Sequence, residues 1–132
     1  MLSNLTFQNL TAFTQTYTIT VDNVVPAIAG STIMGGSISG GATDNNANGV
    51  TVTSGPNGAV YFGRIDGVNL ASTALLDPYS NSAAFGSLVI GPDSFGLPGL
   101  TTPGPAVATS IGIQLQFTLA SMDSISLTSF FQ

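Results

Sequence analysis

From Ser110 to Leu119 the chain alternates without a break. Ile111, Ile113, Leu115, Phe117 and Leu119 are apolar, and Gly112, Gln114, Gln116 and Thr118 stand between them. A period of two marks a strand with one dry and one wet face, because successive side chains on a pleated backbone point to opposite sides. A helix would scatter the same five side chains around its axis and bury none of them well. After a polar break at Ala120-Ser121-Met122-Asp123-Ser124, the alternation resumes with Ile125, Leu127 and, less cleanly, Phe131. The pattern predicts a β-hairpin whose inner face is the largest block of core. Every other segment must find a place against it.

The rest of the composition agrees with an all-β chain. Glu and Lys are absent and Gln is rare, so helix formers are scarce, while Thr, Val, Ile and Phe are plentiful and 16 Gly and 7 Pro punctuate them. With 43% apolar residues and several clean alternations, a packed fold is favoured over disorder. At 132 residues the chain makes one domain, residues 1–132, long enough for a real core. Its turns and short strands predict an antiparallel β-sandwich or jelly roll of about eight strands.

Charge is nearly missing. Six Asp and one Arg, Arg64, make up 5% of the chain, and the net charge is -5. Nucleic-acid binding rests on Lys and Arg neutralising phosphates, so this balance argues against it, and equally against attraction to anionic lipid. No apolar run approaches the ~20 residues of a membrane span. Residues 1–4, Met-Leu-Ser-Asn, lack the basic and apolar regions of a secretory leader. The expectation is a chain that is either intracellular or trimmed at both ends in maturation. A single basic residue offers a trypsin-like protease one cleavage point, which favours the exterior. The absence of Cys excludes disulfides, thiolate metal sites and Cys nucleophiles.

Along the chain, residues 1–12 read as a short, irregular strand. Phe13, Gln15, Tyr17, Ile19 and Val21 share one face of a cleaner strand, with Thr14, Thr16, Thr18 and Thr20 on the other. Strand propensity alone explains that Thr row, although a flat hydroxyl array also suits ice, a glycan or a neighbouring subunit. Residues 31–43 are Gly-rich but extended, which points to a bulge or a close backbone approach. Val50 to Ser54 and Ala59 to Ile65 read as two strands joined by a Gly55-Pro56-Asn57-Gly58 turn. Val68 to Leu76 fits a short strand or a helical turn. Five Pro between 78 and 105 forbid a regular central strand over most of that segment, with 85–90 its best strand.

Catalytic groups are poorly supplied. No His, Cys, Lys or Glu can serve as a tuned base, no Ser has an adjacent base, and no paired-Asp motif appears. An enzyme is therefore not expected. No Trp provides a sugar-stacking platform, and Tyr is limited to Tyr17, Tyr61 and Tyr79.

The sharpest local motif is Asp44-Asn45-Asn46-Ala47-Asn48-Gly49. Oxygen donors at Asp44, Asn46 and Asn48 followed by Gly49 match the first half of a Ca²⁺ loop. The second half fails, because the twelfth position is Gly55 and not a bidentate Glu. A complete site needs a remote carboxylate: Asp66, Asp22 or another. Few carboxylates imply weak affinity. An Asn-rich turn is the plain alternative. Beyond Ca²⁺ no cofactor is expected. Arg64 and Asp66, two apart on a strand, share a face and suit a structural ion pair. Asn4 and Asn9 begin N-x-T sequons and are glycosylation candidates if the chain is exported.

Two blocks carry a resemblance to a known family. One runs from Gly35-Gly36-Ser37-Ile38-Ser39-Gly40 through Thr43-Asp44-Asn45-Asn46-Ala47-Asn48-Gly49-Val50-Thr51-Val52 to Tyr61 and Ile65-Asp66-Gly67. The other is Ser110 to Leu119 with Asp123-Ser124 following. With Phe7-Gln8-Asn9-Leu10, these resemble the extracellular region of bacterial PEP-CTERM (exosortase-sorted) proteins. The resemblance implies export, processing of a C-terminal tail, and a role in extracellular matrix or surface structure. No Pro-Glu-Pro tail, membrane anchor or basic end follows Gln132, a departure that maturation or a likeness of composition alone would explain.

These readings lead to a secreted structural protein that polymerises with copies of itself into an extracellular filament or surface matrix. Low charge and open sheet edges support this, with residues 1–12 as an arm that adds to a neighbour's sheet as a donor strand. The second class is a Ca²⁺-dependent adhesin or lectin-like binding module.

Overall fold

The computed structural model describes residues 1–132 and holds twelve strands: β1 (Leu2–Gln8), β2 (Gln15–Val24), β3 (Thr32–Met34), β4 (Gly36–Thr43), β5 (Val50–Ser54), β6 (Tyr61–Ile65), β7 (Val68–Asn69), β8 (Ser80–Ala83), β9 (Ser87–Phe95), β10 (Thr102–Gly104), β11 (Ser110–Leu119) and β12 (Ser124–Phe131). The one helical piece is a 3₁₀ turn, Ala71–Thr73. All strand pairs are antiparallel, and the fold is a β-sandwich of the jelly-roll kind. One sheet has the order β1-β12-β4-β9. The other is built on β11: β2 pairs with it along all ten residues on one side, and β6 and β5 share its other side. β7 extends β6, β8 extends β5, and a β3–β10 ribbon stands apart.

The two alternating rows are the two halves of the core. Ile113, Leu115, Phe117 and Leu119 from β11 meet Ile125, Leu127 and Phe131 from β12, all buried. The expected hairpin is an arch instead. β11 and β12 share no pairing; each is central in its own sheet, flanked on both edges, and the chain crosses between layers at 120–123. A hairpin would lay both apolar rows on one face of one sheet and leave them to be covered by something else. The arch lets each row cover the other.

The expected Gly55–Gly58 turn is present, with the Gly58 N–H on the Gly55 carbonyl at 3.1 Å, but the strands on either side of it do not pair: β5 and β6 run end to end along β11, and 55–60 is an excursion between them. That excursion covers Gln116, leaving it 2% exposed, with the N–H of Gly55 bonded to the Gln116 carbonyl. On β2, an edge strand, Tyr17 and Ile19 are half-buried but Val21 stays exposed, and Phe13 falls outside the strand and is exposed as well. Residues 1–12 are not a loose arm. β1 pairs with β12 over seven residues, and the N-terminal amine donates to the Phe131 carbonyl. Phe7 packs against Tyr17 with the rings tilted and their centroids 4.3 Å apart, so β1 and β2 lie over one another on one flank of the sandwich. β9 carries Pro92 on an edge with a register break, as a Pro inside a sheet requires.

Tyr61 is fully buried, and its hydroxyl donates to the Phe130 carbonyl at 2.8 Å, tying the two sheets together. Two residues on, Gly63 carries the ring of Phe131 directly on its backbone; a Cβ there would sit 2.8 Å from the ring. Gly63→Ala should therefore destabilise the domain by about 1–3 kcal/mol through overpacking. Urea denaturation of the two proteins, compared at equal m-value, measures it.

Candidate functional site

The loop following β4 is organised by Asp44. Its Oδ1 accepts the N–H of Asn46 at 3.1 Å and its Oδ2 that of Gly49 at 3.0 Å. Ala47 and Gly49 take positive φ, which lets the chain curl around the carboxylate. Desolvation raises the Asp44 pKa, but the N–H groups of Gly49, Asn46, Ala47 and Asn48 outweigh it, and the carboxyl ends below its ordinary value. Asn45, Asn46 and Asn48 then reach across to the 120–123 arch. Their amide nitrogens donate to the Met122 carbonyl (3.3 Å), the Ser121 carbonyl (3.1 Å) and the Ser121 Oγ (3.5 Å). Asp44, Asn46 and Asn48 thus lie in one loop against the arch, the two Asn side chains directing their amide nitrogens at Ser121.

Asp66 does not join them. It sits at the start of β11, with Asp44 beyond that strand's other end; nine steps of an extended backbone separate these ends by roughly 30 Å. The reason is local. Asp66 leaves β6 at φ 51° and turns its carboxylate onto the 108–110 segment, accepting the N–H groups of Ala108 (2.9 Å), Thr109 (2.7 Å) and Ser110 (3.0 Å). The same turn takes it away from Arg64. The Arg64 partner is Asp22 on β2, at 3.2 Å, and its other nitrogens donate to Asn69 and the Gly67 carbonyl. The ion pair is structural, as expected, with a different acid.

The carboxylate that stands beside Asp44 lies outside its sequence motif. Asp123, in the arch, is fully buried, and its Oδ1 accepts the N–H of Asn45 at 3.3 Å. Its Oδ2 has no partner. Burial pushes its pKa up, the Asn45 N–H opposes, and the Asp44 charge adds to the rise. A single Asp in a turn is ordinary in sequence. The available signal was its position between the two cleanest strands of the chain.

Asn9 is also corrected. It is fully buried, its Nδ2 donates to the carbonyls of Phe13, Leu119 and Ala120, and its Oδ1 accepts from Thr11. A nitrogen so engaged has no room for a glycan in the folded chain. Asn9 instead plugs the arch, its own N–H bonded to the Asp123 carbonyl. Asn4 is exposed on β1.

At the far end, an apolar cleft of about 110 Å³ is lined by Ile28, Ile33, Met34, Val107, Ile111 and Phe131. That is well below the ~300 Å³ of a typical small-molecule pocket. No group of three or more acidic or other strong metal-ligating side chains occurs.

No family model matches the chain, and no curated protein matches it. The solved structure of infectious bursal disease virus, Gx strain, superposes with a TM-score of 0.25 and 14% identity, covering 97% of this chain. The chain spans 32% of that viral chain. Likeness at that level carries no argument about role.

Asp66 gives the clearest pH dependence. Its N–H partners at Ala108, Thr109 and Ser110 hold its pKa to about 2, against an ordinary value of about 3.9 in an unfolded chain. A depressed carboxyl stabilises the fold above the unfolded value and loses that contribution as pH falls through the folded one. The melting temperature should drop between about pH 4 and pH 2. Asp66→Asn should lower it at pH 7 and flatten that part of the acid limb, as thermal melts across the range would show.

Proposed function

We propose that this chain is an exported structural module that associates edge to edge with copies of itself into an extracellular filament or matrix. The observation that carries the reading is β2. It is a ten-residue edge strand, in unbroken register with β11, with no Pro, no Lys and no bulge. Natural sheets protect such margins with those devices, because unpaired N–H and C=O groups recruit further strands. Its one charge, Asp22, is paired with Arg64 inside the same chain. Val21 and Val24 stand exposed along it, and Phe13 and Leu2 lie exposed on the same flank.

A second copy is the favoured occupant for two reasons. The strand offers Thr, Tyr, Ile and Val to a partner, all good strand formers, and no charge that would select an oppositely charged stranger. The opposite flank also carries exposed apolar residues, Phe85 at 75% and Val89 at 73%. Two unlike adhesive flanks propagate an open polymer, whereas one self-complementary flank closes as a dimer. The donor-strand route through residues 1–12 is replaced by addition at β2, since β1 is already paired at home. The resemblance to exosortase-sorted proteins supplies the exported setting. The scarcity of tuned bases favours a structural role over a catalytic one.

Thr16 and Thr18 are exposed on β2 and neither side chain makes a hydrogen bond, so Thr16→Lys/Thr18→Lys adds two edge charges with folding stability changed by less than about 1 kcal/mol. The wild-type chain should form polymers visible by negative-stain electron microscopy, and the double variant should remain monomeric by light scattering. A dispersed wild-type monomer at high concentration, or a variant that polymerises as well as wild type, would defeat the reading.

A further inference from the structure

The two acids at the arch end of the sandwich pose a problem that the fold does not solve by itself. Every other carboxylate has an evident outlet. Asp22 pairs with Arg64, Asp66 and Asp93 accept backbone N–H groups, and Asp77 is open to solvent. Asp123 alone is fully buried, with one oxygen on a single long hydrogen bond and the other on none. Leaving a buried polar oxygen unpaired is expensive, and a buried charge more so. It lies, moreover, against the loop that holds a second carboxylate, Asp44, with no cation in reach of either: the chain's only Arg is engaged at the opposite end of the sandwich.

The Asp44 turn by itself would be an ordinary Asx-built loop. Asp123 is what points to a ligand. Its Oδ1 takes the N–H of Asn45 where the loop begins, its Oδ2 on the same carboxylate is buried without a partner, and the amides of Asn45 and Asn46 reach the adjoining arch carbonyls, Met122 and Ser121. Oxygen is the only donor element in this shell: two carboxylates, the amide oxygens of Asn46 and Asn48, and two backbone carbonyls. Rotating the Asn46 and Asn48 amides about their last torsion turns their oxygens toward Ser121, in exchange for the long 3.4 Å bond from the Asn48 N–H to the Asn46 Oδ1. We propose that Asp44 and Asp123, with Asn46, Asn48 and the arch carbonyls of Ser121 and Met122, form a binding site for a single Ca²⁺ ion. Such a mixed, flexible, all-oxygen set suits the larger ion. Mg²⁺ demands compact octahedral geometry and dehydrates reluctantly.

Bound there, the ion joins two separate pieces of chain: the loop between β4 and β5, and the arch between β11 and β12. It would therefore stiffen the end of the sandwich next to the β1–β2 connection, which Asn9 holds to the same arch. Only two formal negative charges and a surface loop place the affinity with weak extracellular sites, a Kd of roughly 10⁻⁴–10⁻³ M.

The test uses the full chain stripped with chelator and returned to neutral, chelator-free buffer. Titration calorimetry with Ca²⁺ should give a saturable heat near one ion per chain. About 10 mM Ca²⁺ should raise the melting temperature by about 5 °C, and equal Mg²⁺ by far less. Asp123→Asn keeps the shape and an acceptor for the Asn45 N–H but removes the charge; it should lose the Ca²⁺ response. Asp44→Asn should lose it too, and serves if the first variant does not fold. No heat and an unmoved midpoint in the wild-type chain would overturn the site. So would a full Ca²⁺ response in either variant, or an equal response to Mg²⁺.

Discussion

The structure depends on two apolar rows facing each other across a crossing rather than along a ladder. Because β11 and β12 lie in different sheets, each has two free edges, and each is paired on both. Their backbones are satisfied by ordinary strands, and their inner faces are satisfied by one another. The remaining strands are then placed by hydrogen bonding to these two. The crossing itself must be held shut, since its backbone groups belong to no ladder. Asn9 does this from the first connection of the chain, supplying donors to Leu119 and Ala120 and bonding to Asp123. The loop after β4 does it from the other side. N-terminal and C-terminal segments are thereby fixed together at one end, which explains why β1 is an integral strand.

Much of this was legible. The period-two rows of β11, β12 and β2 gave their faces, and the Gly and Pro clusters gave most of the breaks. Alternation reports which side of a strand is dry; it does not report which strand lies alongside. That is why the arch looked like a hairpin, and why the Gly55–Gly58 turn is legible while the partner shared by its two strands, β11, is not. Local acids were misread for a related reason. Arg64 and Asp66 would share a face if the strand continued through both, but Asp66 adopts φ 51° and the spacing rule ends there. The Asp44 loop was visible as a motif, whereas Asp123 becomes notable only through burial, a property of the arch and not of its neighbours in sequence. Asn9 shows the same limit: its N-x-T context is intact, but the fold spends its amide on carbonyls 110 residues away.

With almost no charges to place, the chain uses three of its six acids for backbone tasks. Asp66 collects three N–H groups to start β11, Asp93 accepts those of Leu76 and Ser94, and Asp44 curls a loop around itself. Charge-assisted bonds of this kind are stronger than neutral ones, so a few carboxylates can order several long loops. The one cation is similarly committed, bridging β2, β6 and β7 through Asp22, Asn69 and the Gly67 carbonyl. Asp123 stands out against this pattern because it receives so little in return for its burial.

The same economy bears on the sheet margins. A chain without Lys and with one engaged Arg cannot protect edges by charge. It must use the remaining devices, and at most margins it does. β9 has a Pro and a register break, β8 is four residues long, and β7 is two. On the β1–β2 flank none of these is used. β2 is the longest edge in the molecule and runs straight, and β1 adds seven residues in unbroken register beneath it. Protection applied at β7, β8 and β9 and withheld at β1 and β2 is a difference within one chain, under one composition. Composition alone would leave all five edge strands alike, so the difference belongs to that flank, and pairing with another strand is what an unprotected flank is physically fit to do.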